Sequence, residues 1–283
     1  MSLDWGVTAV VLAAALLHAT WNALVKVEGD RVVTLALVST VWLGLGGALA
    51  AALPLPAPAS WPFVLASTAL HYGYLLSLLW MYREGDLSQV YPIARGSAPL
   101  FLAGLSAAVA GEVLPATEWA GVALVCAGLL SLTAQGRRPT RQERRAIVAA
   151  LCTGLIITAY TLTDGLGVRR TEGALAYAAW LFLLQGVPWA LLLVWLRLRR
   201  PARVPLRGLG PGLIAGVLSM AAYALVIWAL SRAPMAPVAA LRETGVIFAA
   251  LLGTWKLGEA FGRRRVLAAA LVALGVALIN WPG

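Results

Sequence analysis

The chain is poor in charge. Only 12% of its 283 residues are Asp, Glu, Lys or Arg, against roughly 25% in a soluble domain. A soluble protein of this length must wet a large surface, and there is too little polar material here to cover one. The solvent compatible with such a surface is lipid. Cysteine and histidine are scarcer still. Cys126 and Cys152 both fall inside apolar stretches, and with only His18 and His71 beside them no zinc framework has suitable spacing. A Walker-type phosphate loop, a Gly-x-Ser-x-Gly elbow and paired intramembrane aspartates are also missing. These absences argue against a pump with its own ATPase and against a membrane-embedded enzyme. No cofactor or metal is expected.

What is abundant is apolar sequence, at 61% of residues. It falls into ten stretches, at 6–25, 32–52, 61–81, 87–110, 113–134, 146–168, 173–196, 207–230, 234–257 and 264–281. Each is close to the ~20 residues a helix needs to cross ~30 Å of hydrocarbon. The stretches are apolar on both faces, which excludes barrel strands of alternating polarity. The expected fold class is therefore all-α, a polytopic membrane protein of about ten spans. The first stretch reads as a span rather than a signal peptide, because Asp4 is the only charge before it and Lys26 and Arg31 follow it. The loops are too short to hold a soluble domain, so any site must lie within the membrane.

The net charge of +10 and pI near 10.4 would suggest nucleic acid in a soluble protein. Here 20 of the 22 basic residues lie between or beside the apolar stretches, so they read as charge at a membrane face, and no nucleic-acid partner is expected. Seventeen fall in odd-numbered loops and three in even-numbered ones. The positive-inside rule then puts the odd loops in the cytoplasm and both termini outside.

The chain also resembles itself. Shifted by 147 residues, Arg95 matches Arg242, Phe101 matches Phe248, Gly111 and Glu112 match Gly258 and Glu259, and Gly128 matches Gly275. An intramembrane arginine is rare, and it recurs at the same distance from a Gly-Glu pair. Five spans per half is an odd number, so the second half enters the membrane from the opposite side. That is the inverted repeat of many secondary transporters. The expected division is 1–134, a basic loop at 135–145, and 146–283.

Ionisable groups at mid-bilayer cost roughly 2.5–3.5 kcal/mol each on insertion scales and usually face a bundle interior. Arg95, Asp164, Arg242 and Glu243 lie within the spans. Arg95 sits between Pro92 and Pro99, with Tyr91 one turn before it, a setting for binding an anion or carboxylate. A structural arginine at a helix end is the alternative. Arg242 and Glu243 are adjacent and point in different directions, so each is expected to pair with another helix. Glu243 is a candidate proton-coupling carboxylate or equally a structural ion-pair member, with Asp164 as a proton-sharing or repulsive neighbour. Asp164 and Tyr160 share one face near a span end, where a merely solvated aspartate is the simpler expectation. His18 and Asn22 form a polar face with Trp21, and His71 and Tyr74 another. Both histidines are candidates for proton coupling or for ordinary interhelical hydrogen bonds.

The first-helix segment Leu16-Leu-His-Ala-Thr-Trp-Asn-Ala-Leu-Val-Lys26 and the fourth-helix segment Gly85-Asp-Leu-Ser-Gln-Val-Tyr-Pro-Ile-Ala-Arg-Gly-Ser-Ala-Pro-Leu-Phe101 resemble the EamA family of the drug/metabolite transporter superfamily. The resemblance covers nearly the whole chain. It implies a secondary transporter in a bacterial cell membrane, moving a small polar metabolite such as an amino acid, with export favoured. It also implies a central cavity between the halves and coupling to an ion gradient, for which protons are the candidate. The family is commonly drawn with both termini in the cytoplasm, opposite to the charge count. A lipid-linked substrate flippase or a membrane-embedded enzyme is the competing expectation. Whether the chain is a monomer or a homodimer stays open.

Overall fold

A computed structural model describes residues 3–27, 31–133, 139–199, 209–249 and 262–281. Ten α-helices run through them, and no strand occurs among the described residues. They are α1 (Trp5–Val27), α2 (Arg31–Ala52), α3 (Trp61–Glu84), α4 (Leu87–Ala110) and α5 (Ala116–Ser131), followed by α6 (Arg141–Val168), α7 (Ala174–Arg199), α8 (Leu209–Leu230), α9 (Met235–Glu243) and α10 (Arg263–Ile279). This is the polytopic all-α architecture expected from the apolar stretches. Five described segments are long and apolar enough to cross a membrane on their own: Trp5–Val25, Pro58–Glu84, Ser88–Ala110, Arg141–Val168 and Gly210–Leu230.

Two elements differ from the expected spans. α5 has 16 residues, short of the stretch at 113–134, because Gly111 turns left-handed (φ 67°) to end α4 and Pro115 delays the next helix. The stretch at 234–257 is broken. α9 stops after Glu243 at a turn on Thr244, and residues 245–249 are helical again. Gly245 passes so near α1 that a Cβ there would stand 3.1 Å from the Ala15 carbonyl oxygen. Gly258 and Glu259, the second copy of the Gly-Glu pair, lie outside the described residues.

The helices pair across the two halves of the chain. α1 packs on α8 and α3 on α6, α2 packs on α7, α4 on α9, and α5 on α10. Small residues permit the closest approaches, as they do between membrane helices generally. A Cβ on Gly121 would stand 2.6 Å from the Gly275 carbonyl oxygen, and one on Gly128 would stand 2.9 Å from that of Ala268. Likewise Gly46 abuts Leu183 while Gly186 abuts Leu43. The largest apolar core runs through both halves, from Val11 in α1 to Val272 in α10. Leucines such as Leu76, Leu79 and Leu191 point outward and are well exposed, as side chains facing lipid tails would be.

One end of the bundle is tied by polar contacts. Thr8 Oγ1 donates to Asn280 Oδ1 at 2.5 Å, which joins the start of α1 to the end of α10. The Ala57 N–H donates to Thr171 Oγ1 at 3.2 Å, and Arg170 lies over the Phe63 ring. This is the end formed by the even-numbered loops.

Candidate functional site

Two polar clusters occupy the bundle interior. The first gathers α1, α4 and α9. Arg95 Nε lies 2.8 Å from Glu243 Oε2, and Arg242 reaches the other carboxylate oxygen, Oε1, from Nη2 at 3.2 Å and Nε at 3.3 Å. All three residues are at most 5% exposed. Glu243 therefore lies between two guanidiniums. Glu243 finds a partner on another helix, Arg95, as expected, and it also pairs with its neighbour Arg242, which was not expected.

These are charge contacts more than aligned hydrogen bonds. Neither Arg95 Nε nor Arg242 Nη2 has a hydrogen-bond partner, and Glu243 Oε2 lacks an aligned donor. The distances and the missing alignments agree on one point: the charges are together, but their directional capacity is not used up. Two cations share one anion, so the cluster carries an uncompensated positive charge.

Tyr91 and His18 complete this cluster. The Arg95 guanidinium carbon stands 5.5 Å from the Tyr91 ring centroid, within cation–π range. Arg95 Nη2 approaches His18 Nε2 at 3.1 Å, while Trp21 Nε1 donates to His18 Nδ1 at 3.3 Å. A neutral imidazole offers one acceptor nitrogen, so it cannot accept from both N–H groups at once. A protonated one accepts from neither. Asn22 is turned back to its own helix, donating to the His18 carbonyl at 2.7 Å.

The second cluster gathers α3, α6, α7 and α8. His71 stacks on Tyr160 at 4.2 Å between centroids, and Tyr74 meets the same ring edge-on at 5.7 Å. The His71 Nδ1 lies 2.8 Å from the Ser67 carbonyl oxygen. Asp164 is fully buried. It accepts from Tyr177 at 3.0 Å and from Tyr223 at 2.5 Å. The expectation of a solvated interfacial aspartate is thus corrected: the α7 and α8 helices cover it and supply two hydroxyl donors. Among the described residues no hydrogen bond joins Asp164 to Glu243. Tyr160 packs against Ala98, one turn beyond Arg95, so the clusters adjoin across the α4–α6 interface.

A third arrangement was not anticipated. Glu112 Oε1 lies 2.7 Å from Arg169 Nη1, and Glu112 Oε2 accepts from the Met235 N–H at 2.9 Å. Arg169 also donates to the carbonyls of Leu230 and Ala233, at 2.9 and 2.7 Å. One carboxylate and one guanidinium thereby latch the ends of α4, α6 and α8 to the start of α9. In the sequence Glu112 was visible only as half of a repeated Gly-Glu pair and Arg169 only as a loop charge.

Two surface cavities lie at the bundle ends, and neither touches the charge clusters. One, of about 760 Å³, flanks the latch between Leu53–Ala57 and Arg169–Ala176. The other, of about 410 Å³, opens at the opposite end. The chemistry of the buried clusters outweighs cavity size in locating a site. Among the described residues no group of three His, Cys, Asp or Glu could hold a metal ion.

Residues 144–281 match the sequence model of the EamA-like transporter family. The match spans the second half of the chain. The uncharacterized transporter YwfM of Bacillus subtilis (strain 168) is 26% identical over 226 residues, covering 78% of this chain and 74% of that protein. A solved crystal structure of a protein superposes with a TM-score of 0.75 at 19% identity, covering 98% of this chain and 99% of its own. That likeness establishes the fold alone. The matched region contains Asp164, Arg242 and Glu243. Arg95, His18 and Tyr91 precede the matched region, and they reach its charges through the α4–α9 and α1–α9 contacts. Family and relative both point to membrane transport.

Proposed function

We propose that the chain is a secondary transporter that exports a small, polar, amino-acid-like metabolite by alternating access of two inverted five-helix halves. The observation that carries the reading is the buried Arg95–Glu243–Arg242 cluster. Charges at this depth are costly and need a reason. Two guanidiniums sharing one carboxylate leave a place for one more anionic group, and planar guanidiniums suit a carboxylate. Glu243 Oε2, without an aligned donor, suits an ammonium group. The helix break at Thr244 and the prolines in α4 put the cluster on two irregular helices, a recurring way to build a midplane transport site. The reciprocal packing of Gly46 with Leu183 and Gly186 with Leu43 supports a two-fold relation between halves.

Protons are the coupling ion in this reading. His18 is the link, because protonating the imidazole removes its acceptor from Arg95 and loosens α1 from α4. Tyr74, His71, Tyr160 and Asp164 form the adjoining wall that shapes the solute site, and Asn22 supports the α1 backbone beside it. The chain sits in a bacterial cell membrane with the odd-numbered loops in the cytoplasm.

The test is transport into proteoliposomes by Arg95→Ala and Arg242→Ala, with insertion verified by protease protection. Both are expected to abolish exchange of a carboxylate-bearing metabolite. Undiminished transport by both would remove the paired-arginine site.

A further inference from the structure

At the bundle end opposite the latch, a cavity of about 410 Å³ is lined by Trp80 and Glu84 from α3 and by Arg141, Arg144, Arg145 and Val148 from α6. We propose that this cavity binds the phosphate headgroup of an anionic phospholipid.

Four observations carry this. The first is charge: three arginines and one glutamate line the same cavity, an excess of two positive charges. The second is the lack of partners. Among the described residues, no ion pair engages Arg141, Arg144 or Arg145, although they lie three and four positions apart on one helical face, where like charges repel. An anion in the cavity relieves that repulsion. The third is the close packing beside the cavity. Met81, Ala146, Ala149 and Ala150 are fully buried beneath the cavity, and Gly85 packs directly on the Ala146 methyl. The fourth is position. Below the arginines the wall continues into exposed apolar side chains, with Trp80 42%, Val148 54%, Leu79 65% and Leu76 69% exposed. α6, at 28 residues, is about 42 Å long and so overruns a ~30 Å hydrocarbon layer, which places its first turns at headgroup level.

The amides of that first turn are not the attraction. Thr140 and Glu143 form a reciprocal capping box that occupies two of them, the N–H groups of Thr140 and Glu143. The guanidiniums supply the recognition, and the tryptophan and aliphatic wall favours a ligand with acyl chains over a free anion. Basic pockets between spans are a known way of holding acidic lipids.

The test uses the full chain in detergent, titrated with phosphatidylglycerol, phosphatidylcholine or inorganic phosphate, with bound lipid counted by native mass spectrometry. Phosphatidylglycerol is expected to bind at least about tenfold more tightly than phosphatidylcholine. Replacing all three arginines by Gln weakens phosphatidylglycerol about a hundredfold, at roughly a factor of five per guanidinium. The triple Lys variant retains binding within about tenfold, since the charge remains. Glu84→Gln, which removes the only carboxylate, tightens it severalfold. The proposal is overturned if the Gln triple binds phosphatidylglycerol like the parent, or if inorganic phosphate competes as well as the lipid, which would make the cavity a free-anion site. Should the Gln triple fail to fold, an unchanged affinity in Glu84→Gln overturns it equally.

Discussion

Glu243→Gln and Arg95→Gln remove opposite charges from one buried cluster, and their costs should differ in a way that the geometry sets. In the parent, two guanidiniums share one carboxylate at 2.8 and 3.2 Å. Arg95→Gln leaves Glu243 paired with Arg242, so it forfeits one charge contact, about 1.5–3 kcal/mol. Glu243→Gln leaves two buried cations with no anion. Breaking a buried pair by removing one partner costs about 3–5 kcal/mol. The guanidinium nitrogens stand at most about 8 Å apart across that carboxylate, a repulsion of ~2 kcal/mol at an effective dielectric of 20 that Arg95→Gln relieves and Glu243→Gln leaves in place. The carboxylate variant should therefore be the less stable by at least ~2 kcal/mol. For a chain of this size that is a melting temperature about 4 °C lower or more. The assay is thermal unfolding in detergent micelles without substrate, read by tryptophan fluorescence. The gap should persist in added salt, because buried charges are screened little. An Arg95→Gln variant as unstable as Glu243→Gln would refute the assignment of net positive charge to the cluster.

Three further outcomes follow from the same structure. Arg169→Gln unties three contacts of the latch, and amide hydrogen exchange over residues 231–235 should rise about tenfold or more; unchanged exchange would show that the latch does not hold that end. Tyr223→Phe should destabilise more than Tyr177→Phe, because Tyr223 makes the shorter bond to the buried Asp164, 2.5 against 3.0 Å; chemical unfolding of both variants decides it, and the reverse order contradicts it. A reporter active only outside the cytoplasm, fused to the C-terminus, should be active, as the excess of basic residues in odd-numbered loops demands; a reporter active only inside would show that the loop charges mislead.

The spans were legible because the cost of bare backbone in lipid forces long apolar helices, and boundaries such as Leu87–Ala110 were recovered to the residue. The break at Thr244 was not, since no proline or glycine run marks it; it sits where Gly245 approaches α1, a tertiary fact. Rarity made the site legible in outline. Intramembrane Arg95, Arg242 and Glu243 stood out against an apolar background, and they meet. Their partnership did not follow from helical directions, which put adjacent side chains on different faces. Asp164 misled for a related reason: its place near a span end suggested water, while Tyr177 on the next helix and Tyr223, 59 residues on, fold over it. The Glu112–Arg169 latch was hidden because loop charges in a membrane protein are normally solvated. Only the recurrence of Gly-Glu hinted that Glu112 had a role.

The central claim is that the buried arginines receive an anionic group of a small solute. Matched pairs of metabolites test it most directly, each amino acid against its carboxamide, in counterflow through proteoliposomes holding the full chain. The account predicts exchange of the carboxylate member and at least about a tenfold lower rate for the amide, since losing a charge-assisted pair costs more than 1.4 kcal/mol. Equal exchange of acid and amide would contradict it.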